Sequence, residues 1–249
     1  MATDVPPQDS PRIRDGHSEG TGRPTISVVE VLKETWNMYT GSLGRFFLMA
    51  AIVFGSLSAL QYLTQKSGEF GVLALFMVAS VVGVFWLQGA LVVAVDHARR
   101  RAPIPSIFDL FKRVVPQLWP LVGAGLVVLI CVMVGLALLV IPGLALLTIW
   151  SMTAPAIVLE GKSVRESLSR SWHLVQGDSL RVFAVIVITF AIATAFSGVV
   201  TGILQPLPSG VRFYVVSVVA SAIAAPFATI AWTVTYFELK FNKEFVRRG

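Results

Sequence analysis

Residues 118–166 read LWPLVGAGLVVLICVMVGLALLVIPGLALLTIWSMTAPAIVLEGKSVRE. From Leu121 to Leu159 no side chain is charged. A run of this length is too long for one crossing of a hydrocarbon layer about 30 Å thick, which takes about 20 residues, and long enough for two. The Val140-Ile141-Pro142-Gly143 step supplies the turn, giving spans over 118–140 and 144–159. Glu160 closes the second span. Ser163-Val164-Arg165-Glu166 then has the form of a capping box, in which a Ser hydroxyl accepts from the amide three residues on and the acid there reaches back.

Working outward, four further apolar runs occupy 46–64, 72–95, 182–204 and 213–238, and no Lys or Arg lies inside any of the six. The 249 residues are 55% hydrophobic and 14% charged, against roughly 25% charged for a soluble domain. The fold class is therefore all-α: a polytopic membrane protein with six transmembrane helices arranged as three hairpins, each preceded by an amphipathic helix at the cytoplasmic interface. Residues 25–245 form the six-span domain, and 240–249 a short basic tail. Residues 1–24, rich in Pro, Gly and charge, bury too little apolar surface to offset the entropy of ordering and are expected to be disordered. They also lack the apolar core of a signal peptide.

Charge sets the expected orientation. Of 20 Lys and Arg, only Lys66 and Arg212 fall on the face reached after spans 1, 3 and 5. Basic residues beside spans stay in the cytoplasm. Both termini are expected there, in a multi-pass protein of the plasma membrane.

The capping pattern occurs three times, as Ser27…Glu30, Ser106…Asp109 and Ser163…Glu166. Between the first and third copies the match extends, at a constant offset of 136, through Trp36/Trp172, Gly41/Gly177 and Arg45/Arg181. The middle copy lies at offset 79 and is degenerate, with Val115 where Trp would fall. These recurrences predict three units, at about 27–96, 106–160 and 163–239. In the first lead-in helix Glu30, Lys33, Glu34 and Asn37 oppose Val28, Val29, Leu32, Trp36 and Tyr39. Such a helix is expected to lie on the interface with its apolar face down, or else to pack as a cytoplasmic cap. Gly41 and Gly177 are expected to supply the bend into the following span.

No Asp, Glu, Lys, Arg or His occupies mid-membrane depth, which argues against proton relays and ion pathways. The single Cys131 rules out an internal disulfide. No His lies near a span serine to serve as its base. No cofactor and no nucleic-acid partner is implied. Pro155 and Pro226 are expected to interrupt spans 4 and 6, either opening a cavity or making a static bend. Asp96, Glu160 and Glu238 each end a span that returns to the cytoplasm. Acids there oppose the helix dipole, so they are expected to be solvated or to pair with bases, Arg45 and Arg181 first.

The run from Pro155 to Gly177, PAIVLEGKSVRESLSRSWHLVQG, with the Ile141-Pro142-Gly143 turn before it, resembles the membrane domain associated with bacterial glycerophosphodiester phosphodiesterases and related six-span proteins. The resemblance covers about 25–245. It implies a prokaryotic six-helix membrane domain. In full-length members a separate barrel carries the metal-binding acids and histidines. No catalytic residue can be carried over, so no enzymatic activity is expected of this chain.

The expected role is a non-enzymatic scaffold, anchor or accessory subunit, whose partners are the lipid bilayer and a protein not identifiable from sequence. Arg99, Arg100 and Arg101 are candidates for anionic headgroup contact, or serve only to enforce topology. The alternative is a permease for a lipid or small amphiphile, with Gln61, Gln88, Thr148 and Ser151 on one route.

Overall fold

The computed structural model describes residues 26–248, with side chains through Glu244 and Phe245; the tail expected over 1–24 lies outside the described residues. In order, the helices are α1 (Val28–Gly41), α2 (Leu43–Ser67), α3 (Phe70–Arg99), α4 (Ile107–Val114), α5 (Leu118–Leu138), α6 (Val140–Trp150), α7 (Thr153–Glu160), α8 (Val164–Val175), α9 (Ser179–Ile203) and α10 (Ser209–Arg248). Among the described residues there is no strand. Six segments are long and apolar enough to cross a membrane, carried by α2, α3, α5, α6–α7, α9 and α10. They pair as the hairpins α2/α3, α5/α6–α7 and α9/α10. The short helices α1, α4 and α8 precede the hairpins and gather at one end of the bundle, the cap end.

Each cap helix docks on the hairpin before it. Helix α4 packs on α3, and α8 on α7 and α5. Helix α1 has no hairpin before it and packs on the last one, against α10 and α9. There the Tyr39 hydroxyl donates to the Ile223 carbonyl at 3.2 Å, and the Tyr39 ring meets Phe227 edge-on at 5.6 Å between centroids. The chain thereby closes into a ring. The helices that return to the cap end, α3, α7 and α10, touch one another at its centre, and α2, α5 and α9 stand around them.

The docked face of α1 and α8 mixes apolar residues, Leu174 and Val175 in α8 among them, with small polar ones. Val31, Thr35 and Tyr39 are buried in α1, Leu110 and Val114 in α4, and Ser167 and Ser171 in α8. Positions 31, 110 and 167, like 35, 114 and 171, are related by the offsets of 79 and 136. Trp36, Val115 and Trp172, similarly related, are 49%, 49% and 48% exposed. Small polar side chains suit the docked face because they permit close approach and satisfy themselves on backbone. Thr35 donates to the Val31 carbonyl and Ser167 to that of Val164. The helices therefore dock as a cap and leave Trp36 and Trp172 half-exposed.

Elsewhere the structure corrects the expected boundaries. The turn of the middle hairpin is the single residue Leu139, with φ −156° and ψ 134°, and Val140 to Gly143 already form the first turn of α6. Gly135 and Gly143 make this possible. A Cβ on Gly135 would sit 2.9 Å from the Gly143 Cα. Pro226 lies inside an unbroken α10. The segment expected as a tail continues that helix to Arg248.

Acids at the returning ends are paired, but not with Arg45 or Arg181. Arg45 donates to the Ile104 carbonyl and Arg181 to Asp178 at 2.7 Å. Asp96 pairs with Arg100 at 2.9 Å, and Glu238 with Arg99 at 2.8 Å. Glu160, its side chain 12% exposed, accepts from Arg170 through both oxygens at 3.1 and 3.0 Å, from the Tyr236 hydroxyl at 2.6 Å and from Lys240 at 3.1 Å. One carboxylate thus ties α7 to α8 and α10. Glu160→Gln keeps the size but not the charge, and hydrogen bonds to charged groups contribute about 1.5–3 kcal/mol each. Since Arg170 and Lys240 are about a third exposed, the net loss is expected to be about 2 kcal/mol, read as a lower thermal midpoint in detergent.

Candidate intramembrane binding cavity

Pro155 has no N–H to offer the carbonyl one turn back, so the span through α6 and α7 breaks at Ser151–Met152. The freed backbone groups are taken by a cap helix. Met152 N–H donates to the Ser171 oxygen at 3.2 Å, and the Ser171 hydroxyl donates to the Ile149 carbonyl at 2.5 Å. Ser151 turns to the Thr148 carbonyl at 2.7 Å. The break leaves the span irregular without leaving these two backbone groups unsatisfied, as a lipid environment requires.

Beside the break is a cavity of about 310 Å³ between α3, α5, α6–α7, α9 and α10, at the small end of ligand sites (roughly 300–1,000 Å³). Its wall is apolar apart from Gln88, Ser151, Thr153 and the indoles of Trp150 and Trp232. No charged residue lines it. Thr153 is 4% exposed, and its hydroxyl has no hydrogen-bond partner among the described residues; neither has the buried Trp232 Nε1. A second, smaller cavity of about 180 Å³ is also lined by Gln88 and Trp232, so these side chains border both. Leu129, half-exposed, lies at the rim facing the outside of the bundle.

Of the four polar residues expected on a route, Gln88 and Ser151 line this cavity and Gln61 and Thr148 do not; Thr148 donates to the Leu144 carbonyl. Thr153 and Trp232 were not singled out in the sequence. Each sits in an apolar run with no distinguishing spacing, and only tertiary packing brings them together.

The repeated motif lies at the cap end, away from the cavity. Ser27 accepts from the Glu30 amide at 3.4 Å and Ser106 from the Asp109 amide at 3.2 Å. Glu166 accepts from the Ser163 amide at 3.0 Å and its hydroxyl at 2.8 Å, and these bonds hold its carboxyl below the usual carboxylate range. The two motif glycines differ. Gly177 has φ +98°, a conformation that favours glycine, and the Lys243 ammonium closes that turn on the Gln176 carbonyl at 2.6 Å. Gly41 has no positive φ and is simply the last residue of α1.

The arginine triplet is split. Arg99 is turned inward between Glu238 and Glu34, at 2.8 and 3.6 Å, over the Phe237 ring at 4.8 Å. Burial raises the Glu34 pKa, with Arg99 acting against it. Arg100 is 72% exposed while paired with Asp96. Arg101 is exposed at a left-handed φ of +53°. Among the described residues no cluster of three or more His, Cys, Asp or Glu has the geometry to hold a metal ion.

A family described as a domain of unknown function, DUF7847, matches residues 28–239. The chain belongs to that family. The match runs from the first cap helix to the last Glu160-linked turn of α10, so the DUF7847 domain includes all three hairpins and all three cap helices. No curated protein and no solved structure matches the chain, and nothing in these comparisons links it to the phosphodiesterase family.

One contact in the cavity wall requires a glycine. A Cβ on Gly125 would fall 2.0 Å from the Phe85 ring, and both residues line the wall. Gly125→Ala forces the ring to move. Overpacking of this kind costs about 1–3 kcal/mol, and the expected result is a lower thermal midpoint together with loss of any co-purifying cavity ligand.

Proposed function

We propose that this DUF7847 protein is a non-enzymatic, multi-pass protein of the plasma membrane that binds an uncharged lipid or small amphiphile inside its bundle, as a permease or a lipid-handling accessory subunit. The observation that carries this reading is the largely apolar cavity itself, two of whose lining residues, Thr153 and Trp232, each hold a buried polar atom without a partner just behind the wall. A buried orphan costs about 1–3 kcal/mol, and a ligand would offset it. An indole N–H only donates, so the ligand must present an acceptor such as an ester or amide carbonyl or a hydroxyl. The uncharged wall favours an uncharged headgroup. The route in is lateral, past Leu129 at the rim.

The cap end is proposed to face the cytoplasm, since all Lys and Arg of the sequence except Lys66 and Arg212 belong to that side. The three units are proposed to be copies of one helix-plus-hairpin element, supported by the equivalent burial of positions 31, 110 and 167. Headgroup contact by the arginine triplet narrows to Arg100 and Arg101, because Arg99 is engaged within the bundle. The likeness of the 155–177 run to phosphodiesterase-associated membrane domains supports a shared membrane element and no shared catalysis.

The test compares wild type with Thr153→Val and Trp232→Phe in mild detergent, identifying bound small molecules by native mass spectrometry and lipid analysis. Wild type is expected to retain an uncharged amphiphile that both variants lose. Delipidated Thr153→Val is expected to be about 1 kcal/mol more stable than delipidated wild type, since an orphan hydroxyl has been removed at constant shape. Unchanged ligand retention in both variants would contradict the reading.

A further inference from the structure

The middle hairpin is shorter than its neighbours on both limbs. Helices α2 and α9 begin and end at equivalent positions, since Leu43 and Ser179, like Ser67 and Ile203, are related by the offset of 136. Helix α5, at 21 residues, is four shorter than α2 and α9, at 25 each, and it ends at Leu138, eight positions before Leu146, the equivalent of Ser67 at offset 79. On the returning limb, the distance from helix start to the acid at the cap end is 26 positions from Phe70 to Asp96, 29 from Ser209 to Glu238 and 20 from Val140 to Glu160. At 1.5 Å per residue these shortfalls of four to nine positions amount to about 6–14 Å, centred on roughly 10 Å.

The tips also differ in chemistry. Those of the outer hairpins carry Gln65, Lys66 and Glu69, and Gln205 and Arg212, side chains that belong at headgroup level. The middle tip carries Leu138, Leu139, Val140 and Ile141, all exposed, at 75%, 68%, 62% and 82%. If the outer tips mark the membrane surface, the middle tip lies within the hydrocarbon of that leaflet, whose half-thickness is about 15 Å. There the last carbonyls of α5 and the first amides of α6 lack intrahelical partners, and irregular backbone does not sit in lipid unsatisfied. Thinning a bilayer costs a small amount per ångström of mismatch, less than leaving those groups dry.

We propose that the protein thins the bilayer from the face opposite the cap, drawing headgroups and water down by about 10 Å onto the Leu139 turn. Pro142, with no amide hydrogen, leaves one donor fewer to be hydrated there. The thinning follows from hairpin length and holds whether or not the cavity carries a ligand. It gives the protein a second action on the membrane, a local dip beside the hairpin where headgroups cross a shorter apolar path.

The test uses single-cysteine variants of the full chain in a Cys131→Ser background, with nitroxide labels at Leu139→Cys, Ser67→Cys, Ser209→Cys and Leu129→Cys, reconstituted into dioleoylphosphatidylcholine vesicles. Accessibility to a water-soluble nickel chelate is compared with accessibility to oxygen. The expected result is a nickel accessibility at Leu139 matching Ser67 and Ser209 and severalfold above Leu129. If Leu139 instead resembles Leu129, favouring oxygen, the tip is submerged and the proposal fails. If it is shielded from both reagents, another protein surface covers it, and the proposal fails equally. Leu138→Cys and Val140→Cys, also exposed, repeat the reading should the Leu139 variant fold poorly.

Discussion

The docking of α1, α4 and α8 on the ends of the returning helices is the contact on which the remainder of the bundle depends. Inside a bilayer no hydrophobic effect drives helices together, because lipid is as apolar as leucine. At the cap end, water is present on one side. Apolar burial of Val31, Leu110, Leu174 and Val175 and charge pairing both act there. The Glu160 cluster and the Arg99 cluster sit where a cap helix meets a returning span, and each reaches α10. Because α1 docks on the last hairpin, the first and last parts of the chain hold each other, and the spans between them are held in a closed ring.

The cavity is a consequence of that arrangement. Pro155 breaks a span at a depth where a break would be costly, and Ser171, buried on a cap helix, supplies a donor and an acceptor to the broken backbone. The break is thus stabilised from the cap end. What it leaves is a space walled by Trp150, Thr153, Phe85 and Trp232. The same cap docking that stabilises the hairpins therefore fixes the only irregular part of α6–α7 next to two unpartnered polar atoms.

The spans, their number and the three capped lead-in helices were legible in the sequence, because each rests on local chemistry: absence of charge over some twenty residues, or Ser and an acid three apart. The docked face of the cap helices was legible only in part: Tyr39 is buried as its apolar face suggests, while Trp36 of that face is half-exposed. Thr35, Ser167 and Ser171 look polar in sequence, and only backbone partners make their burial favourable. The acids at the returning ends read equally as solvated or paired, with Arg45 and Arg181 as first partners; they are paired, with Arg99, Arg100 and Arg170, because the partner depends on which helix docks where. The Pro142-Gly143 signal placed the middle turn one step too late; those residues open α6, with Gly143 admitting Gly135. Of Gln61, Gln88, Thr148 and Ser151, expected along one route, Gln88 and Ser151 share a cavity and the other two do not. Thr153 and Trp232 carried no local signal at all.

Closure of the ring by the first helix on the last hairpin is tested most directly by thiol cross-linking. In a Cys131→Ser background, Tyr39→Cys and Phe227→Cys are joined with a short bifunctional reagent in native membranes. Packing of these two rings at 5.6 Å predicts an efficient cross-link within one chain, visible as a faster-migrating monomer that neither single variant forms. Absence of that species, or cross-linking only between chains as a dimer, would contradict the closed ring.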